Sequence, residues 1–434
     1  MKTTSPQAHY DVVIIGGGLV GASLACALQA AIDRMRTGVR AQPLRVLVTE
    51  AAAHVDASPS FDARSTALSY GSQRIYQGLG LWDRLAPHAT PIKHIHVSDR
   101  GHFGAVRLDS ETMNVEALGQ VIENRHLGEA LMQALTSAPD IDYLCPARIV
   151  STSHTPAGMA LTVAIPEMKA QAKQQDQTRE ISASLVVLAD GGKSTLCQQL
   201  GIGMRVEHYG QKAIIANVAF EKPHDNVAYE RFTDSGPLAV LPLADLAGDH
   251  RGALIWTLTH EDADVTIGLS DDDFLAALQE RFGHRLGMFE KVGRRASYPL
   301  SLTVAQEQVR PGLVLLGNVA HTLHPVAGQG LNLALRDAES LAGLIMESYR
   351  GKDGETVSPG TMSVLQRFVD SQQADQNLTI DFSHYMTRLF SSTNPGLVWA
   401  RKFGMFSVDL LPVVKRGFAR QAMGMGERLR RTAG

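Results

Sequence analysis

At 434 residues the chain exceeds one average domain, so two domains are expected, and a net charge of −3 gives no reason to look for a nucleic-acid partner. Three cysteines, Cys26, Cys145 and Cys197, stand at unrelated spacings; they fit neither a disulfide framework nor a zinc site, and they suit a reducing cytosol. The polar start "MKTTSPQAHY" lacks the apolar centre of a signal peptide, and no run of about 18 apolar residues is available to span a bilayer.

Asp11 to Ile15, "DVVII", is a continuous β-branched run and reads as a buried parallel strand. "GGGLVG" follows directly and places Gly16, Gly18 and Gly21 in a G-x-G-x-x-G pattern ahead of the Ala- and Leu-rich helix "ASLACALQAAI". In a strand–turn–helix setting these glycines serve a tight turn, close approach of backbone to a pyrophosphate, and close packing of helix on strand. The phosphates would lie at the helix N-terminus, where unpaired N–H groups and the dipole favour negative charge. The next strand, "RVLVTE", ends in Glu50, placed to hold a ribose hydroxyl pair, and the polar stretch "DRMRTGVRAQP" absorbs the long spacing from the glycines.

The alternation of "KHIHVSDRGHFGAVRL", Lys93 to Leu108, and the short strand-like runs between about Val206 and Thr303 have a different texture. They read as one antiparallel sheet inserted twice into the nucleotide-binding domain, with one face packed and one free to cover a substrate. Between them, "PEMKAQAKQQDQTRE", Pro166 to Glu180, reads as an exposed hairpin tip or a disordered loop.

Two further strand tips repeat the glycine-rich pattern. "SLVVLADGGKSTLCQQLG" gives a strand over 184–189, a turn at Asp190-Gly191-Gly192 and a helix from Ser194; "GLVLLGN" gives a strand and a turn at Gly317-Asn318. Three parallel strands would then deliver their C-terminal ends to one sheet edge, where open α/β folds bind ligands. Only the first carries a dinucleotide fingerprint, so one nucleotide cofactor is expected, with no second Rossmann domain for a resident NAD(P)H. After the third tip, "HPVAGQGLN" brings Pro325, Gly328 and Gly330 ahead of Leu331 and Asn332, which begin the helix "LNLALRDAESLAGLIMESY"; Ala334, Ala338, Leu341 and Ile345 share one face of it. Such a backbone can lie flat against a ring. His321 and His324 have no third ligand at a matching position nearby, so they read as histidines hydrogen-bonded in that loop rather than as metal ligands, with a general-base role left open.

These tips, in this order, together with "FDARSTALSYGSQRIYQGLGLWDRL" from Phe61 to Leu85, resemble the flavin-dependent aromatic hydroxylases of the para-hydroxybenzoate hydroxylase fold. "HVSDRGHFGAVRL", "LGQVIEN", "ERFTDSGPLAVLP", "SYPLSLT" and "GNVAHTLHPVAGQGLNL" resemble the ubiquinone-biosynthesis branch of that family. The resemblance implies FAD as cofactor, with Arg64 approaching its phosphates, Asp190-Gly191 supporting it and a transient NAD(P)H, and Gly317-Asn318 on the ribitol. An amide at Asn318 replaces the family's carboxylate and still hydrogen-bonds a hydroxyl. Glu230, Arg231, Phe232 and Pro237 match the substrate-side strand facing the flavin. The implied fold is α/β: a Rossmann-type FAD-binding domain (1–92, 117–205 and 304–350), an inserted antiparallel-sheet substrate domain (93–116 and 206–303) and a helical C-terminal tail (351–434).

The implied reaction is ring hydroxylation of a polyprenyl phenol by O2 and reduced FAD through a C4a-hydroperoxide. The substrate that the resemblance implies is a 2-polyprenyl-6-methoxyphenol; no residue is identified as the acid or base that activates it. Another ring carbon, a reductase or oxidase on the same fold, and a non-catalytic FAD-bearing member of a quinone-biosynthesis complex stay open. The tail from Trp399 mixes Phe403, Phe406, Leu410, Leu411, Val414 and Phe418 with many arginines and lysines. It reads either as a packed helix with solvated arginines or as a peripheral contact with the anionic inner face of the plasma membrane, the source of a polyprenyl substrate, in an otherwise cytoplasmic protein.

Overall fold

The computed structural model describes residues 8–36, 44–53, 64–100, 105–166, 176–192, 194–325, 328–350, 356–391 and 412–425. A parallel core sheet runs, edge to edge, through Leu313–Leu315, Asp176–Leu188, His9–Ile15, Val46–Thr49 and Ile141–Leu144, with Val309–Arg310 antiparallel at its rim. Strand His9–Ile15 shows why its β-branched run carries no polar alternation. Val12 and Ile14 pack with Leu24, Leu28 and Val187 on one face, while Val13 and Ile15 pack with Val186, Leu188 and Leu161 on the other. Both faces are buried, as a parallel strand requires.

The first face is covered by the helices Leu19–Arg36, Asn124–Ser137, Gln329–Arg350 and Met362–Ser391. In the late helix Gln329–Arg350, Ala334, Ala338, Leu341 and Ile345 are all at most 2% exposed, as their spacing predicts. The second face is covered by the chain itself: Arg148–Thr155 and Gly158–Pro166 pair antiparallel with the long strand Asp176–Leu188. That strand begins well before residue 184, because its first half belongs to this hairpin and only its second half to the parallel sheet. Pro166 pairs with Asp176, and the polar tip at 167–175 lies outside the described residues.

A second, nine-stranded sheet draws on both stretches with the alternating texture. Its order is His321–Thr322, Ala296–Ala305, Met204–Phe220, Asp249–Thr259, Gly236–Leu246, Val227–Thr233, His94–Asp99 and Ala105–Asp109, with Phe289–Val292 added beside Met204–Phe220. One of its pairings departs from the antiparallel expectation: Val227–Thr233 runs parallel to His94–Asp99. These two strands come from separate stretches of the chain, and parallel neighbours need a long crossover rather than a hairpin. The helices His260–Ile267 and Asp271–Phe282 bury one face of this sheet with Ile214, Leu238, Trp256, Phe274 and Leu278. The opposite face turns toward the tips of the parallel sheet. A small sheet of Ser65–Ser69, Gly119–Glu123 and Ala89–Ile92 lies beside that junction.

Of the tail, the helix Pro412–Ala422 is described; Phe403, Phe406, Leu410 and Leu411 lie outside the described residues. Ala419 and Met423 are buried against Val97, Leu108, Leu118 and Phe232, and Val414 is exposed. This stretch is packed on the protein.

Candidate cofactor and substrate site

The glycines of the first strand tip occupy three different environments. Gly16 holds φ +105°, and a Cβ there would lie 2.5 Å from the carbonyl oxygen of Ala189, so only glycine makes this turn beside the second strand tip. A Cβ on Gly21 would meet the Gly16 carbonyl oxygen at 1.9 Å, the close packing of helix on strand. A Cβ on Gly18 would meet nothing within 4 Å: the backbone there borders open space in front of the first turn of helix Leu19–Arg36, which holds no acidic side chain. Those are the three jobs of a dinucleotide loop, and the free space lies where its phosphates sit.

Glu50 closes the loop from the neighbouring strand. Its Oε2 accepts from the Gly17 amide at 2.8 Å and its Oε1 from the Ala52 amide at 2.8 Å. Each carboxylate oxygen has a second lone pair for a ribose hydroxyl. Asp190 and Gly191 follow directly on the second tip; Gly191 has φ +94° and borders open space, while Gly192 packs near Thr322 Oγ1 and Asn318. Gly317 holds φ +74° with the Val20 side chain against its Cα, and Asn318 O accepts from Thr322 Oγ1 at 2.9 Å. Three strand tips thus meet at one edge.

Beside them lies a cavity of about 450 Å³. Of the residues expected from sequence, Arg64, Asn318, Pro325, Gly328, Gly330, Leu331 and Asn332 line it; Gly16, Gly18, Gly21, Glu50, Asp190, Gly191 and Gly317 lie outside it, at the strand tips. The cofactor side of the cavity is tied together by Asn332. Its Oδ1 accepts from the Ser69 amide at 2.8 Å, and its Nδ2 donates to the carbonyl oxygens of Ala67 at 2.8 Å and Gly328 at 2.7 Å. One buried amide therefore joins the late helix, the strand Ser65–Ser69 and the turn at Gly328. A Cβ on Gly330, in the first turn, would enter open space. Arg64 stands with its guanidinium 5.6 Å from the ring centre of Tyr298.

His321 and His324 are 3% and 1% exposed and have different settings. His321 Nε2 lies 3.0 Å from Asp337 Oδ2, which also accepts from Gln376 Nε2 at 3.0 Å, so this pair belongs to the helix packing behind the site. His324 lines the cavity edge-on to Tyr209, and burial pushes its pKa down to about 4. It is therefore neutral near pH 7.

The substrate side of the cavity is the free face of the nine-stranded sheet. Register places Val97 beside Glu230, Glu230 beside Ala239, Ala239 beside Ile255 and Ile255 beside Ile215. All five line the cavity, so one transverse row of the sheet forms its floor, apolar but for Glu230. Phe382, Met386 and Phe418 add an apolar wall from the long helix Met362–Ser391 and the tail helix. The sequence assigns Glu230 to the substrate-side strand without a chemical role and gives Phe418 no place at the cavity. The only sequence signal for the former is a carboxylate amid a strand whose same-face neighbours, Ala228 and Phe232, are buried.

A flat ring attached to a diphosphate fits this arrangement. The open space at Gly18 and Gly191 suits the phosphates and ribityl chain, and the open space at Gly330 with the first turn of the late helix suits the ring's polar edge. Comparison with known proteins agrees. Residues 9–358 match the family described as the FAD binding domain. The ubiquinone hydroxylase UbiL of Rhodospirillum rubrum is 34% identical, covering 97% of this chain and 91% of its own length. The 3-demethoxyubiquinol 3-hydroxylase of Escherichia coli is 28% identical, covering 96% of this chain and 98% of its own. The crystal structure of the p-nitrophenol 4-monooxygenase PnpA of Pseudomonas putida superposes with a TM-score of 0.73 over 97% of this chain and 100% of that one, at 17% identity, a likeness of fold. With three strand tips on one edge, an open glycine cradle and a match across most of its length, this chain belongs to the FAD binding domain family, as an FAD-dependent monooxygenase of the group that includes the ubiquinone hydroxylases.

Proposed function

We propose that this monooxygenase hydroxylates the aromatic ring of a polyprenyl phenol in ubiquinone biosynthesis, with a 2-polyprenyl-6-methoxyphenol as substrate and NADH or NADPH as the transient electron donor. The observation that carries the reading is the sheet row Val97–Glu230–Ala239–Ile255–Ile215, apolar but for Glu230, set across a cavity from Asn318, Pro325, Gly328 and Leu331. A planar, uncharged phenol suits a slot of this character, and Phe382, Met386 and Phe418 suit a prenyl chain. Bound FAD supplies two-electron reduction of O2 and delivery of one oxygen atom to the ring. The chain's own residues do the rest. Gly16, Gly18 and Gly21 seat the phosphates, Glu50 holds the glycine loop, Arg64 and Asn318 are available to the cofactor's polar groups, and the apolar floor excludes water, so that reduced cofactor is not wasted on peroxide.

The decisive test is product analysis. Purified protein with FAD, NADH or NADPH, O2 and a short-chain 2-polyprenyl-6-methoxyphenol should give a product one oxygen atom heavier, with ring position read by NMR. Cells lacking the protein should accumulate that phenol and stop making ubiquinone. Accumulation of a differently substituted ring moves the assignment to another ring carbon; oxidation of nicotinamide with no hydroxylated product from any phenol overturns it.

No helix among the described residues is long and apolar enough to cross a membrane. We place the protein in the cytoplasm, at the inner face of the plasma membrane, held there by the arginine- and lysine-rich C-terminal residues and open to other ubiquinone-biosynthesis proteins. Flotation with anionic vesicles, compared between the full chain and one in which the arginines and lysines from Arg401 onward are replaced by glutamine, tests this; equal flotation refutes it.

A further inference from the structure

We infer that Glu230 is the residue that takes the hydroxyl proton of the phenol as the ring is oxygenated, and so the general base of the reaction. The inference rests on the phenol reading above.

Its ground is placement. Strand Val227–Thr233 points Ala228, Glu230 and Phe232 to one face. Ala228 is buried among Ile92, Val121 and Leu243, and Phe232 among Val97, Leu108 and Leu118. Glu230 stands between them, flanked across the sheet by Val97 and Ala239, and opens onto the cavity. Its carboxyl has no hydrogen-bond or ion-pair partner among the described residues. A half-buried carboxyl that faces the cavity, with no donor or cation beside it among the described residues, is satisfied only by what enters the cavity.

Elimination supports the same choice. Among the described residues, the other titratable groups lining the cavity are Arg64, Tyr229 and His324. An arginine side chain has no acceptor. Burial pushes the Tyr229 hydroxyl up, so it stays protonated, and pushes His324 down to about 4, so it is a weak base. Burial alone, with no charged neighbour contributing, pushes Glu230 up to about 7, where a general base is most effective near neutral pH. On Glu230's own strand, Arg231 points away and donates to the Phe282 carbonyl oxygen at 2.9 Å.

The balance is simple. The phenol O–H proton passes to the Glu230 carboxylate while ring electrons form the new C–O bond to one atom of O2. The other atom leaves as water, and NADH or NADPH supplies the two electrons. The ring then releases its C–H proton to solvent and Glu230 returns its own to the phenol oxygen, so the carboxylate is regenerated; the hydride of NADH or NADPH and two solvent protons supply the hydrogens of the new hydroxyl and of water.

The test compares wild type, Glu230→Gln and Glu230→Asp as FAD-loaded proteins, with matched flavin spectra and melting temperatures. Three readouts are taken: hydroxylated product per nicotinamide oxidised, the pH profile of the hydroxylation rate, and phenol affinity from perturbation of flavin absorbance. Wild-type hydroxylation should fall about tenfold per pH unit below about pH 7, the ionisation of Glu230. Glu230→Gln should lower hydroxylation by about 10²–10⁴-fold, erase that acid limb, keep phenol affinity within a few-fold, and divert electrons to H2O2. Glu230→Asp should restore the limb. Hydroxylation by Glu230→Gln within threefold of wild type, or an acid limb unchanged in it, overturns the role of Glu230 while leaving the substrate reading intact. A wild-type protein that hydroxylates no phenol overturns both.

Discussion

Asn332→Ala removes the tie between the late helix and the edge of the cavity, and its cost can be worked from three distances. The side chain is 1% exposed and makes hydrogen bonds of 2.8, 2.8 and 2.7 Å to Ser69, Ala67 and Gly328. Each contributes about 0.5–1.5 kcal/mol net, and the buried Ser69 amide left behind adds a desolvation penalty of about 1–3 kcal/mol. Alanine recovers at most about 0.7 kcal/mol of helix propensity. The balance is a loss of about 3 kcal/mol, with water from the adjacent cavity softening the larger estimates. Urea unfolding of the FAD-free protein measures it directly. FAD affinity, read from the return of flavin fluorescence on dilution, should fall as well, because Ala67 and Gly328 both border the ring side. Asn332→Asp discriminates the origin: it keeps an acceptor for Ser69 but sets a carboxylate against two carbonyl oxygens, so it should be no more stable than alanine. A loss below about 1 kcal/mol for alanine, or an aspartate variant as stable as wild type, refutes the three-way tie.

Two glycines in different settings should behave oppositely. Gly317→Ala forces a Cβ into φ +74° and to 3.1 Å from Val20, which costs about 1–2 kcal/mol from backbone handedness alone and should weaken FAD binding. Gly343→Ala, in the exposed middle of the late helix with nothing within 4 Å, should stabilise by about 0.5–1 kcal/mol in thermal melts. Phe368→Ala, fully buried among Leu341, Ile345 and Leu365, should cost about 3–5 kcal/mol; a cost under 1 kcal/mol would mean that the long helix is not seated there. His96 is 7% exposed, its ring nitrogens have no hydrogen-bond partner among the described residues, and burial with nearby arginines pushes its pKa down from 6.5 to about 4. The folded state therefore binds fewer protons than the unfolded state between those values, so the stability is present above pH 6.5 and is lost as pH falls toward 4, by about 3 kcal/mol in total. His96→Phe should flatten unfolding free energy between pH 7 and 5 by about 2 kcal/mol of that total; an unchanged slope refutes it.

How much of this was legible in the sequence depended on what the site is made of. Gly16, Gly18 and Gly21 could be read because their demands are local: a positive φ, an open backbone and a helix packed on its strand are set within a few residues. The face of the late helix could be read for the same reason, from a spacing of three and four. The parallel pairing of His94–Asp99 with Val227–Thr233 could not, since alternation gives the face of a strand but not its neighbour. Nor could the tail helix at the cavity, because an apolar stripe with arginines beside it fits a membrane and a protein surface equally well, and the choice rests on whether Val97, Leu108 and Phe232 are there to receive Ala419 and Met423.

That difference separates the two halves of the site. The cofactor side is built from main chain, so its signature survives in the identity of glycines and needs no knowledge of distant residues. The substrate side is built from side chains brought level by register, where Val97, Glu230, Ala239, Ile255 and Ile215 become one row only after four strand pairings are in place. A residue such as Glu230 is then distinguished by its neighbours across the sheet rather than along the chain. It follows that ring position and phenol chemistry should respond to substitutions along this row, Ala239→Val and Ile255→Ala above all, while FAD retention should not. If both variants lose FAD to the same degree as Gly317→Ala, the row does not form a separate substrate floor.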